Sequence, residues 1–268
     1  MKIEFTKMHG AGNDFIVVFD ASGKFHPSTA EIKGMCSRNR GIGADGLMIL
    51  SHGKNYGADF RMDFFNSDGS LAGMCGNGLR CAGLFCHRKL RGGKKISIST
   101  GSGILEAVIT GKNTVQVKIP VKEKFREISL AGKKMYFGST GVPHLVVPVK
   151  DIRKTDVCGE GRKLRFHRRF APAGTNVDFI GIPLRGPCRI RTYERGVEGE
   201  TSACGTGITA AAVVIHEFFR KRPPLQFITV EDDILKVEFC ESDNMLTTPP
   251  SALLTGPAAE VYSGTINI

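Results

Sequence analysis

Two short stretches carry residue types and spacings that could do chemistry: "MCGNGLRCAG" at 74–83 and "ACGTGITAAA" at 203–212. Each sets a cysteine directly before G-x-G and then runs into helix-forming residues, and the two cysteines, Cys75 and Cys204, lie about half the chain apart. A cysteine reacts as its thiolate, and the free thiol pKa of about 8.5 falls at a helix N-terminus, where unpaired N–H groups and the helix dipole favour negative charge. The glycines leave room for a ligand and expose the N–H groups of Gly76, Asn77 and Gly78, and of Gly205, Thr206 and Gly207, donors suited to a carboxylate. Two thiols facing opposite sides of one carbon can invert a stereocentre. The thiolate removes a proton from one face, the thiol returns one to the other, and the helix-end donors hold the charge that develops on the adjacent carboxylate. Such chemistry requires no cofactor in principle. A single C-G-x-G reads more readily as a helix start, with its cysteine a small buried hydrophobe; the repetition points to function.

The elements that position these groups recur in order. In the first half, "KIEFTKMH" and "FIVVFD" read as strands around the turn "GAGND", "STAEIKGMCSRN" as a short capped helix, and "LMIL" and "FRMDFFN" as strands. A helix from about 77 to 90 follows, closed by "GG", and then the strands "KKISIST", "ILEAVIT" and "TVQVKI". Beyond Pro120 the order repeats: "REISLAG", "KKMYFG" and "HLVVPV" as strands, a basic helical segment near 152–168, the strands "NVDFIGI" and "CRIRTYE", a helix from about Thr206 to Arg222 stopped by "PP", and the strands "LQFITV" and "ILKVEF". The simplest architecture is two tandem α+β units, each with one central helix covered by strands. The residues alone leave open which unit the final "AEVYSGTINI" joins.

The chain has 268 residues, 33 of them glycine, with a formal net charge of +11. That charge raises nucleic acid or an acidic membrane as partners, but the basic residues are dispersed and no aromatic-basic RNA-binding motif accompanies them, so a solvated basic surface that steers a small anion is the favoured reading. The eight cysteines contain no C-x-x-C, and the cluster of Cys75, Cys81, Cys86 and His87 matches no familiar zinc spacing. The sequence "MKIEFTKMHG" carries no signal-type apolar stretch and no run reaches membrane-span length. The expected setting is a reducing cytoplasm with free thiols. The expected partners are a small amino-acid substrate and a second copy of the chain, with no nucleic acid, membrane or metal.

Nearly end to end, the chain resembles the diaminopimelate epimerase family, on "KMHGAGNDF" (7–15), "RGIGADGL" (40–47), "FFNSDGSLAGMCGNGLRC" (64–81), "GVPH" (141–144), "GTNVDF" (174–179) and "RTYERGVEGETSACGTG" (191–207). The resemblance implies an α+β fold of two pseudo-symmetric domains, each a strand barrel around a central helix, with the active site in the cleft. It places residues 1–119 in one domain, joined by 256–268, and 120–255 in the other. It implies epimerisation of LL- to meso-diaminopimelate for lysine and cell-wall precursors, without a cofactor, with Cys75 and Cys204 as acid and base. Asn13, Asn66 and Asn176 match positions that contact the substrate's amino-acid groups, and Glu194 and Arg195 a substrate-binding pair bordering one thiol. Gly76, Asn77, Gly205 and Thr206 match the anion cradle, and His144 a histidine near the first catalytic cysteine. Arg80 reads as a cation on the helix face. Two departures bear on substrate: Val142 stands where many members have Asn, and Gly46 where many have Gln. They keep a racemase of another amino acid, such as histidine, as the alternative; a non-catalytic nucleic-acid-binding protein and a redox pair of Cys75 with Cys204 rank below it.

Overall fold

The structure, a computed structural model, describes residues 2–73, 75–240 and 251–268. Met74, which opens the first motif stretch, and residues 241–250 of the second half lie outside the described residues. The chain divides into two units, Met1–Val117 with Gly256–Ile268, and Lys118–Thr255.

In unit 1, β1 (Lys2–Gly10) and β2 (Asn13–Phe19) form a hairpin around Ala11-Gly12. Both turn residues have positive φ, 55° and 81°, as a two-residue turn with the twist of the flanking strands demands. Helix α1 (Thr29–Cys36) begins at Ser28, whose hydroxyl accepts from the Glu31 N–H while Glu31 accepts from the Ser28 N–H. There follow β3 (Gly46–His52), β4 (Phe60–Asn66), β5 (Leu71–Ala72), helix α2 (Gly76–Lys89), β6 (Lys95–Thr100), β7 (Gly103–Gly111) and β8 (Thr114–Ile119). Unit 2 comprises β9 (Glu123–Leu130), β10 (Lys133–Ser139), β11 (Pro143–Pro148), α3 (Val157–Arg165), β12 (Asn176–Gly181), β13 (Cys188–Glu194), β14 (Gly199–Thr201), α4 (Gly205–Phe219), β15 (Leu225–Ile228), β16 (Ile234–Phe239) and β17 (Ala252–Pro257). The chain ends in β18 (Ala259–Asn267).

The two units share one topology. In unit 1 the strands run β18-β1-β2-β3-β4-β6-β7-β8, with β2–β3 and β4–β6 parallel and the other neighbours antiparallel. In unit 2 they run β9-β10-β11-β12-β13-β15-β16-β17, with β11–β12 and β13–β15 parallel. Each parallel pair needs a crossover, which the helices α1, α2, α3 and α4 supply in turn. β18 does for β1 what β9 does for β10. It pairs the edge of β1 that β2 leaves bare.

The central helices are α2 and α4. Every residue from Gly76 to Cys86 and from Gly207 to Ile215 is buried, as expected of a helix enclosed on all sides. α2 packs against β1, β2, β3, β6 and β7, and α4 against β10, β11, β12 and β16. The strands beneath them are covered on both faces. Ile16, Val18, Leu47 and Ile49 pack toward α1, and Leu145, Val147, Val177 and Phe179 join the core of α3; the alternate residues turn to α2 and α4. Helix α4 ends at Phe219 rather than near Arg222. Arg220 takes a left-handed conformation, φ 58°, and its N–H bonds the Ile215 carbonyl, closing the helix before the prolines at 223 and 224. No helix among the described residues is long and apolar enough to cross a membrane.

Candidate active site

Cys75 is the N-cap of α2, extended at φ −135° and ψ 122°, and its Sγ accepts from the Gly78 N–H at 3.4 Å. A thiol there meets the positive end of the helix. Asn13, just past the hairpin turn, places its Oδ1 within 3.6 Å of the Cys75 Sγ and 3.2 Å of the Asn77 Nδ2. Its other end is anchored, the Nδ2 donating to Asp45 Oδ2 at 2.7 Å. Asp45 in turn accepts from Arg38, which also makes two bonds to Asp14, and Lys7 pairs with Asp14 at 2.7 Å. Burial works against ionising Asp14, but Arg38 and Lys7 outweigh it and hold its carboxyl down to about 2. The "GADG" carboxylate, Asp45, thus settles which end of the Asn13 amide faces the thiol.

Arg80 is not a helix-face cation. It is fully buried, its guanidinium donating to Asn77 Oδ1 at 2.9 Å and to the Pro257 carbonyl at 3.2 Å. The α2 face that carries it meets strands rather than solvent, so Arg80 ties Asn77 to the returning C-terminal segment. Asn66 ends β4 opposite Gly46; it is exposed, and its Nδ2 donates to Ser70 Oγ. A Cβ on Gly46 would come 2.5 Å from the Phe65 carbonyl and 2.6 Å from the Phe64 ring. The space a Gln at 46 would need is filled by Phe64, packed edge-on to Phe15 at 5.8 Å.

In unit 2, Cys204 is the extended N-cap of α4, 7% exposed, with its Sγ 3.4 Å from the Thr206 hydroxyl. Burial pushes its thiol well above the ordinary range, and the charges of Glu194 and Asp178 add to that against the Thr206 hydroxyl. Thr140 donates to the Thr206 carbonyl at 3.1 Å, fixing the first turn. Glu194 accepts from the Thr201 hydroxyl at 2.8 Å. Asn176 is buried with both ends of its amide engaged: Oδ1 accepts from the Arg195 N–H at 2.8 Å and Nδ2 donates to the Pro143 carbonyl at 3.0 Å. It thereby holds Arg195 and the start of β11 together, while the Arg195 guanidinium reaches the Ala173 carbonyl.

His144, on β11, lies beside Asn176 in the parallel register, and its Nδ1 sits 2.7 Å from Asp178 Oδ2. Neither side chain has any exposure. Thr192 donates to the other oxygen, Oδ1, at 2.9 Å. Asp178 and Thr192 belong to this cluster without being marked by the motif residues around them. The available signal was a single carboxylate in the otherwise apolar strand "NVDFIGI", two residues from Asn176 and so on the same strand face.

The structure thus groups Cys75, Asn13, Gly76 and Asn77 in unit 1, with Asn66 at the end of β4. It groups Cys204, Glu194, Asn176, Arg195, Gly205, Thr206 and His144 in unit 2. Two helix N-termini, each carrying a thiol at the cap and small residues in the first turn, are arrangements that can bind carboxylate and exchange a proton.

The sequence profile of the family described as "Diaminopimelate epimerase" matches residues 5–122 and 136–252. The chain is 38% identical to the diaminopimelate epimerase of Aquifex aeolicus, covering 99% of this chain and 98% of that one. It is 39% identical to that of Chlorobaculum tepidum, covering 97% and 100%. Among solved structures, a phenazine biosynthesis protein of the PhzF family from Bacillus anthracis aligns over all of both chains with a TM-score of 0.78 at 16% identity, a likeness of fold. With the profile covering most of both units and the sequence relatives matching along their whole lengths, the chain belongs to the diaminopimelate epimerase family.

Proposed function

We propose that this protein is an isomerase that interconverts LL- and meso-diaminopimelate by proton exchange at one carbon, without a cofactor, in the cytoplasm and as a homodimer. One observation carries the reading: in each of two topologically equivalent units, the buried central helix is capped by a cysteine directly before G-x-G. In the proposed reaction one of Cys75 and Cys204, as thiolate, takes the Cα proton, and the other, as thiol, delivers its proton to the opposite face. The reverse reaction exchanges the two roles. The carbanion delocalises onto the substrate carboxylate, where N–H groups around Gly76, Asn77, Gly205 and Thr206 stabilise it without reorganising. Asn13, Asn66, Asn176, Glu194 and Arg195 bind the amino-acid groups, and His144 and Glu194 support the thiols.

Turnover in D2O with chiral analysis tests this. Inverted product is expected to carry one solvent deuteron at Cα, and Cys75→Ser and Cys204→Ser to lower the rate at least a thousandfold. Inversion without label, or either variant at the parent rate, would refute the two-thiol reaction. Val142 and Gly46 favour a second reading, a racemase of another amino acid such as histidine. A substrate panel in the same solvent separates the two by which substrate gives the higher kcat/KM.

A further inference from the structure

The shared topology lets the surroundings of the two thiols be compared position by position. In unit 1, Phe15 of β2 pairs with Gly46 of β3, and two residues on, Met48 pairs with Phe64 of β4. In unit 2, His144 of β11 pairs with Asn176 of β12, and two residues on, Asp178 pairs with Thr192 of β13. The central helices confirm the match. A Cβ on Gly78, third residue of α2, would meet the Met48 sulfur and Cys75; one on Gly207, third residue of α4, would meet Asp178 Oδ1 and Cys204. Phe15, Met48 and Phe64 beneath the first thiol are therefore replaced by His144, Asp178 and Thr192 beneath the second. One cap rests on an apolar cluster, and the other on a buried hydrogen-bonded carboxylate.

Burying that carboxylate is costly, and an apolar trio fills the same place in unit 1. Stability alone does not call for it. We propose that Asp178 is a positioning residue of the proposed epimerisation, lying against the first turn of α4 beside Cys204 and holding His144 by its Nδ1. When ionised the carboxylate only accepts, so the hydrogen shared with Asp178 then belongs to His144 Nδ1 and the Nε2 lone pair is left to accept. Nε2 is buried and has no hydrogen-bond partner among the described residues. The same negative charge favours the protonated form of Cys204. The titratable groups facing Cys204 within unit 2 are Glu194 on β13 and Asp178 on β12, with His144 on β11 behind Asp178.

The proposal rests on the two-thiol reading, but its test reads the thiol and the imidazole rather than turnover. In a Cys75→Ser background, alkylation of Cys204 by iodoacetamide is followed against pH by peptide mass spectrometry, with and without Asp178→Asn. The midpoint is expected to fall by about one pH unit when the charge is removed; an unchanged midpoint overturns the proposal. Nitrogen-15 imidazole NMR of the unsubstituted protein supplies a measurement that survives any misfolding of the variant. Its expected result is a proton on His144 Nδ1 at neutral pH, and a proton on Nε2 alone would overturn the assignment. Full epimerase activity in Cys204→Ser would instead sink the two-thiol reaction while leaving both of these readings intact.

Discussion

Gly78 and Gly207 occupy the same position in the two units, so the same substitution at each compares a yielding neighbour with a fixed one. Both lie in the first turn of a central helix at ordinary helical φ, where alanine gains up to about 1 kcal/mol of backbone entropy. At Gly78 the new methyl lands 3.2 Å from the Met48 sulfur, the pliable part of an unbranched side chain, which gives by a few tenths of an ångström. The net effect of Gly78→Ala is expected within about 1 kcal/mol of zero. At Gly207 the methyl drives into Asp178 Oδ1, a carboxylate with no exposed side, held by Thr192 at 2.9 Å and His144 at 2.7 Å. It can move only by stretching hydrogen bonds worth about 1.5–3 kcal/mol each to a charged acceptor, on top of about 1–3 kcal/mol for overpacking. After the entropy gain, Gly207→Ala is expected to cost about 3 kcal/mol. Equilibrium urea unfolding of the two variants beside the parent protein measures the difference. Equal midpoints for the two alanines would refute both the equivalence of the positions and the fixed placement of Asp178.

The ionic and thiol groups make further predictions. Asp14, held at about 2 against an ordinary 3.8, contributes stability that is complete above pH 4 and lost as pH falls toward 2. Asp14→Asn should therefore cost about 2 kcal/mol at pH 7, and the gap should close at pH 2. Burial raises the Cys81 thiol from 9.0 to about 12, so the unfolded chain loses that proton first. Stability should decline above pH 9, by about 1.4 kcal/mol per unit from this thiol, and Cys81→Ala should flatten the slope. Arg80→Met removes the buried guanidinium's bonds to Asn77 Oδ1 and the Pro257 carbonyl, and is expected to cost about 3 kcal/mol. Hydrogen exchange should then quicken first in β18, and uniform change across unit 1 would contradict that.

Much of this arrangement was legible in residue order because it is local. Strand alternation, the Ala11-Gly12 turn, the Ser28 cap and the two C-G-x-G helix starts all follow from neighbours within a few positions. The same locality exposed the repeated order of elements and the cysteine at the head of each central helix. The end of α4 differs from the expected one because the prolines are a visible stop in the sequence, whereas a left-handed Arg220 is not.

Sequence by itself determined the family, the duplicated α+β plan and the two thiols as the groups to watch, since each is written in types and spacings along one strand of text. Tertiary structure alone decided that β18 completes the edge of β1, that Arg80 is buried, and that Phe15, Met48 and Phe64 stand where the other unit has His144, Asp178 and Thr192. These depend on which residues face each other across strands distant in sequence. A charge and an apolar group are equally admissible in a strand until its neighbours are known. Only the packing tells whether a carboxylate has found a histidine and a threonine to bind it, or would be stranded among hydrocarbons.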